Sequence, residues 1–156
     1  MKFACPLIAV KDLEVSKKFY VEVLGQEIGL DLGWNVWFKG GFAIQLNFAD
    51  IIGVAKESVK VQSHNFELYF EEEDFDGFLE KLKTFHGIEY VHPSKKHAWQ
   101  QRVVRIYDPD MHIVEIGESM AVIAKRYLNQ GLSVEETAKT IMHPVEFVKM
   151  VNENMT

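Results

Sequence analysis

The chain has 156 residues, 47% of them hydrophobic and 26% charged, with a net charge of −6. That length suits one ordinary domain with a real core, and the acidic balance argues against a generally basic nucleic-acid surface. No apolar run approaches the ~18 residues of a membrane span, Met1–Pro6 lacks the apolar stretch of a secretory signal, and a single cysteine, Cys5, excludes an internal disulfide, so a cytoplasmic setting is expected.

In chain order, 3–10 reads as a strand, with Pro6 tolerable only at an edge or bulge. Asp12 is a helix N-cap ahead of Val15, Phe19, Tyr20 and Val23 at helical spacing, and Gly25 stops that helix. Three short strands are expected over 27–32, 35–38 and 42–48, punctuated by Gly33 and Gly40-Gly41. Residues 49–62 are a polar, mixed connector without a decisive signal. The pattern then restarts. Residues 65–71 alternate, with Asn65, Glu67, Tyr69 and Glu71 on one face. A helix begins at Glu73 or Asp74 and runs through Phe78, Leu82 and Phe85 until Gly87 stops it. Residues 88–91 read as a strand and 92–98 as a loop. The β-rich runs 103–107 and 112–116 then flank Asp108-Pro109-Asp110-Met111, where Pro109 presets a turn and the aspartates can bond local N–H groups: a hairpin.

A shift of 62 residues carries Asp12 to Asp74, Leu13 to Phe75, Gly25 to Gly87 and Cys5 to Glu67; the later loop widens it to 70, which carries Gln45 to Glu115. Two copies of one β-α-β-β-β unit are therefore expected, pairing so that Cys5, Gln45, Glu67 and Glu115 converge from four strands. Glu115, between Val114 and Ile116, must face water, a partner or a ligand, because a carboxylate buried alone is too costly.

On Val10-Lys-Asp-Leu-Glu-Val-Ser-Lys-Lys-Phe-Tyr20 with Val23-Leu-Gly25, Phe70-Glu-Glu-Glu-Asp-Phe-Asp76, and Asp108-Pro-Asp110 leading to Glu115, the chain resembles the vicinal oxygen chelate (glyoxalase/bleomycin resistance/dioxygenase) superfamily over residues 3–118. The resemblance implies an α+β fold of two βαβββ modules, about 1–48 and 64–118, curled into a cup-shaped mixed sheet. Residues 119–156 are left as a C-terminal helical extension. It also implies a divalent metal ion held from the first, fourth, fifth and eighth strands, here Cys5, Gln45, Glu67 and Glu115. Metal-using relatives usually place histidine at the first or fifth of these strands, and none of the six histidines of this chain falls on such a position. A soft thiolate beside amide and carboxylate oxygens is a mismatched set; without Cys5, the three oxygen donors suit a hard ion. Two functions follow from the resemblance. One is an enzyme of lyase, isomerase or dioxygenase type, with Glu115 and Glu67 as the acid/base pair or metal ligands. That enzyme is the leading reading, and the alternative to it is a metal-free protein of bleomycin-resistance type that binds or sequesters its ligand.

Tyr69, Trp99 and Trp37, with Trp34, are candidates for an aromatic cup wall, Tyr69 foremost because it shares a strand face with Glu67. Either Arg102 or Arg105 should lie on Glu115's face, a one-residue register deciding which, and Arg105 is taken as the substrate contact. A small-molecule substrate or ligand and a second copy of the chain are the partners expected. In the tail, helices are expected over 120–128, from the Ser133–Glu136 capping box through Ile141, and from Pro144 with Val145, Val148 and Val151 inward. The last two resemble part of a helix-turn-helix. However, Lys125, Arg126, Lys139 and Lys149 are balanced by Glu135, Glu136, Glu146 and Glu153, which is no basic face for phosphates, so a cap on the cup or a dimer clasp is expected instead.

Overall fold

The computed structural model describes residues 1–155, which divide into two compact units. Unit one comprises 1–67, 85–89 and 107–113; unit two comprises 68–84, 90–106 and the chain from Val114 onward. The elements run β1 (Leu7–Ala9), α1 (Leu13–Lys18), β2 (Ile28–Asp31), β3 (Asn35–Phe38), β4 (Phe42–Gln45), α2 (Phe48–Ile52), β5 (Glu67–Glu72), α3 (Phe75–Lys83), β6 (Tyr90–Lys96), β7 (Arg102–Tyr107), β8 (Ile113–Glu118), α4 (Met120–Asn129), α5 (Val134–Ile141) and α6 (Val145–Glu153). Two four-stranded sheets have the orders β1-β4-β3-β2 and β5-β8-β7-β6. In each, the first strand of its module lies beside the fourth, so the two βαβββ modules are present as an α+β fold with a helical extension.

In unit one, β1 pairs in parallel with β4, Ile8 opposite Ile44, while β3 runs antiparallel to β4 and to β2. Asp12 caps α1 by accepting from the N–H groups of Glu14 and Val15. The helix then widens into a π-turn over Phe19–Val23 and ends where Gly25 takes a positive φ. Tyr20, Phe38 and Phe42 pack ring against ring behind the sheet, centroids 4.7–5.5 Å apart.

Tyr20 also carries the unit's main polar link. It is fully buried, and its hydroxyl donates to Asp108 Oδ2 at 2.7 Å. The other donors to Asp108 are the N–H groups of Asp110 and His112, both to Oδ1, and His112 Nδ1 to Oδ2 at 2.9 Å. The expected local turn chemistry is present, and a long-range phenol is added to it.

Two expectations are corrected here. The strand placed over 42–48 ends at Gln45. Asn47 enters the left-handed region, which asparagine tolerates, and starts α2, which Gly53 closes. The loop expected over 92–98 is largely strand: β6 pairs with β7 through two register slips, between Tyr90 and His92 and between His92 and Lys95. Pro93 sits at the second slip, on an edge strand, where its missing N–H costs no ladder bond.

The tail forms its own core in unit two. Met120, Ile123, Ala124, Ala138, Ile141, Val148 and Val151 are buried together, with Trp99 packed against them. The Ser133–Glu136 capping box is formed as expected, and Pro144 is the N-cap of α6. No helix among the described residues is long and apolar enough to cross a membrane.

Because the Tyr20 hydroxyl meets a buried carboxylate, Tyr20→Phe is expected to lower unfolding free energy by about 1.5–3 kcal/mol. Urea unfolding checks this: the midpoint should fall with the slope unchanged.

Candidate functional site

The two faces of the second sheet are set by the period-two alternation of its strands. Leu68 and Phe70 of β5, Val104 and Ile106 of β7, and Val114 and Ile116 of β8 turn toward one side, which leaves Tyr69, Arg105, Glu115 and Gly117 on the other. Register therefore assigns the two arginines to opposite faces. Arg105 forms an ion pair with Glu115, which is only 6% exposed. Arg105 also bonds His92 Nε2 at 3.1 Å. His92 Nδ1 lies 2.8 Å from the Pro93 carbonyl, which assigns the ring proton to Nδ1 and makes Nε2 the acceptor.

Arg102 belongs to the opposite face. Its guanidinium spans Glu118, through Nε and Nη2 at 3.1 Å each, and Asp76, at 2.7 and 3.1 Å, while lying over the Phe75 ring. Arg126 of α4 completes the cluster on Glu118. Burial alone would raise the Glu118 carboxyl, but Arg102 and Arg126 prevail and hold it below its ordinary value.

On the Glu115 face a second polar chain begins at Tyr69. Its hydroxyl donates to Glu71 Oε1 at 2.8 Å and accepts from Gln101 Nε2 at 2.7 Å. Gln101 also accepts from Trp99 Nε1 at 2.9 Å and donates to the Glu118 carbonyl. Burial pushes the Tyr69 hydroxyl up to about 12, Glu71 adding to the rise against the Gln101 donor, so Tyr69 stays protonated at neutral pH. Gly117 makes room for this chain: a Cβ there would come within 2.5 Å of Gln101 Nε2 and 3.1 Å of the Tyr69 ring.

The remaining expected site residues are placed as follows. Gln45 ends β4, buried, and accepts from Asn35 Nδ2 at 3.3 Å. Cys5 is a free, half-buried cysteine two residues before β1. Glu67, exposed, lines a hollow of about 390 Å³ with His64, Asn65, Phe66 and Ile113. Trp37 is an exposed β3 residue whose ring covers Gly29, in unit one. Trp99 stacks on His97 at 4.2 Å and packs on the tail core. Arg105 and Glu115 are thus brought together, and so are Tyr69 and Trp99 through Gln101. Sequence reasoning missed Gln101, His92 and Gly117. Only Gly117 carried a signal, standing two residues after Glu115 on the same strand face.

Among the described residues no group of three or more His, Cys, Asp or Glu side chains is gathered to hold a metal. Glu115, the central member of the expected set, already has its charge matched by a guanidinium.

Removing Arg105 leaves a buried carboxylate without its cation, so Arg105→Leu is expected to cost about 3–5 kcal/mol, most of it recovered in Arg105→Leu with Glu115→Leu. Denaturant unfolding of the double-mutant cycle checks this. Glu118 supplies a pH signature. Its folded pKa lies below its ordinary 4.5. The stability it contributes is therefore complete above that range and lost as pH falls through the depressed folded value. Glu118→Gln should flatten that acid limb in melting curves recorded against pH.

A family model described as a glyoxalase-like domain matches residues 3–121. Among solved structures, a protein of unknown function from Agrobacterium tumefaciens is 38% identical, covers 77% of this chain and 95% of its own, and has a TM-score of 0.67. A glyoxalase-related enzyme from Fulvimarina pelagi (21% identity, 76% and 89% coverage, TM-score 0.61) and the fosfomycin resistance protein FosX from Mesorhizobium loti (19% identity, 81% and 97% coverage, TM-score 0.55) share the fold. No curated protein matches in sequence. On the matched 119-residue span and the paired βαβββ modules, this chain belongs to the glyoxalase-like domain family of the vicinal oxygen chelate superfamily.

Proposed function

We propose that this protein binds a small planar, polar molecule on the Tyr69–Glu115 face of the second sheet and does so without a metal ion. The Arg105–Glu115 pair carries the reading. A cation at Glu115 would have to displace a guanidinium already in ionic contact, whereas a neutral or zwitterionic ligand can lie against the pair as it stands. Tyr69, 48% exposed, adds an aromatic surface beside it, and its phenol, held by Gln101 and Glu71, fixes the ring's orientation. Aromatic contact plus a few placed polar groups is the usual make-up of a small-molecule site. Of the two functions the family resemblance implies, this is the binding or sequestering one.

The test is a melting-temperature screen against planar polar compounds, with and without manganese, zinc, nickel, iron(II) and magnesium. A ligand at about a hundred times its Kd should stabilise the protein by about 2.7 kcal/mol, and Tyr69→Ala should abolish the gain. The ions alone should leave melting unchanged. Near-stoichiometric metal lost in Glu115→Ala would overturn the reading. Turnover of a bound compound that disappears in Glu115→Gln would assign the lyase, isomerase or dioxygenase type of enzyme instead.

A further inference from the structure

Unit one holds a cavity of about 350 Å³ to which none of the expected site residues contributes. That is within the range of small-molecule sites. It lies beyond the ends of β1 and β4. Leu46, Phe48, Val59 and Val61 supply its apolar wall, and Lys11, Lys56, Asp110 and His112 line it as well.

The polar members are not equivalent. Asp110 is spent: Oδ1 accepts the Lys11 N–H at 3.1 Å and Oδ2 the Ser16 hydroxyl at 3.4 Å. Burial pushes its carboxyl above the ordinary range, which weakens its hold on charge. Asp50 faces Lys56 at 3.6 Å, but both side chains are largely exposed, so that pair is weak and Lys56 can turn to another anion. His112 is built in. Its Nδ1 is committed to Asp108, whose side chain is fully buried and also held by Tyr20, and this leaves Nε2 as the nitrogen for a ligand. A buried carboxylate behind an imidazole fixes its tautomer and supports its protonated form. The groups acting on His112 are Asp108, Asp110 and Lys11. Burial lowers its pKa, but the two aspartates prevail against Lys11 as well, and the net shift is upward.

We propose that this cavity is a binding site for a small organic anion, a carboxylate or phosphate monoester with a short apolar body, whose charged head is received by His112 Nε2 with Lys11 and Lys56 and whose body lies against Phe48, Val59 and Val61. The proposal is independent of the ligand face in unit two, because it uses other residues.

The probes are butyrate and n-butyl phosphate, titrated into the full-length protein and followed by NMR at the His112 ring and the Val59 and Val61 methyl groups. Either anion should shift those signals saturably. Binding should weaken about tenfold between about pH 6 and about pH 9, as the imidazolium is lost. His112→Asn should weaken it by a similar factor. Since that change also disturbs Asp108, Lys56→Glu on an exposed side chain is the second variant, expected to fold normally and to bind at least about tenfold more weakly. Binding of butyl phosphate alone would assign a phosphate head, and binding of butyrate alone a carboxylate. Absence of shifts with both anions, or affinity indifferent to pH and to Lys56→Glu, would overturn the proposal.

Discussion

The buried carboxylate of Asp108 is the constraint on which the first unit rests. A charge removed from water is tolerable only if donors surround it, and here four do: a phenol, an imidazole and two backbone N–H groups. Those donors fix several things at once. The phenol ties residue 20, in the π-turn after α1, to residue 108, and packs its ring against Phe38 and Phe42. The two N–H groups hold the turn around Pro109. The imidazole is held through Nδ1 at the wall of a cavity.

Unit two distributes its buried charge differently, one cluster on each side of a single sheet. On the helix-facing side Glu118 meets Arg102 and Arg126, and Arg102 is in turn shared with Asp76, binding the sheet to α3 and α4. On the other side Glu115 meets Arg105. Both carboxylates are almost fully buried and both are paired, as burial requires. The difference lies in their surroundings. Glu118 is enclosed by packing elements of its own unit, whereas Glu115 shares its face with the half-exposed ring of Tyr69.

The tail is joined to that face. Glu71 accepts the Tyr69 phenol with one oxygen and the Met120 N–H, at the start of α4, with the other. Trp99 packs on the tail core while donating to Gln101, which holds the same phenol. The helical extension therefore meets the partners of Tyr69 twice, once by the Met120 hydrogen bond to Glu71 and once by packing against Trp99.

Much of the fold was legible in the sequence because it is local. Asp12 and the Ser133–Glu136 box cap helices through bonds spanning two or three residues, and the duplication is visible as matching Asp and Gly positions because each copy must start and stop its helix the same way. The glyoxalase-like family was legible from the same punctuation. The continuation of the edge strand β6 past Val91 was not, because Pro93 is a break signal that only a slipped register on an edge can absorb. Nor was the site. That Glu115 needed a partner followed from its strand, but that the partner is Arg105 and not Arg102 depends on register, and a one-residue shift reverses the face. The Tyr20–Asp108 bond joins residues 88 positions apart, and the His112 cavity is assembled from segments just as distant. Spacing along a chain encodes what neighbours do to one another; which charges meet is decided only when the strands are laid side by side.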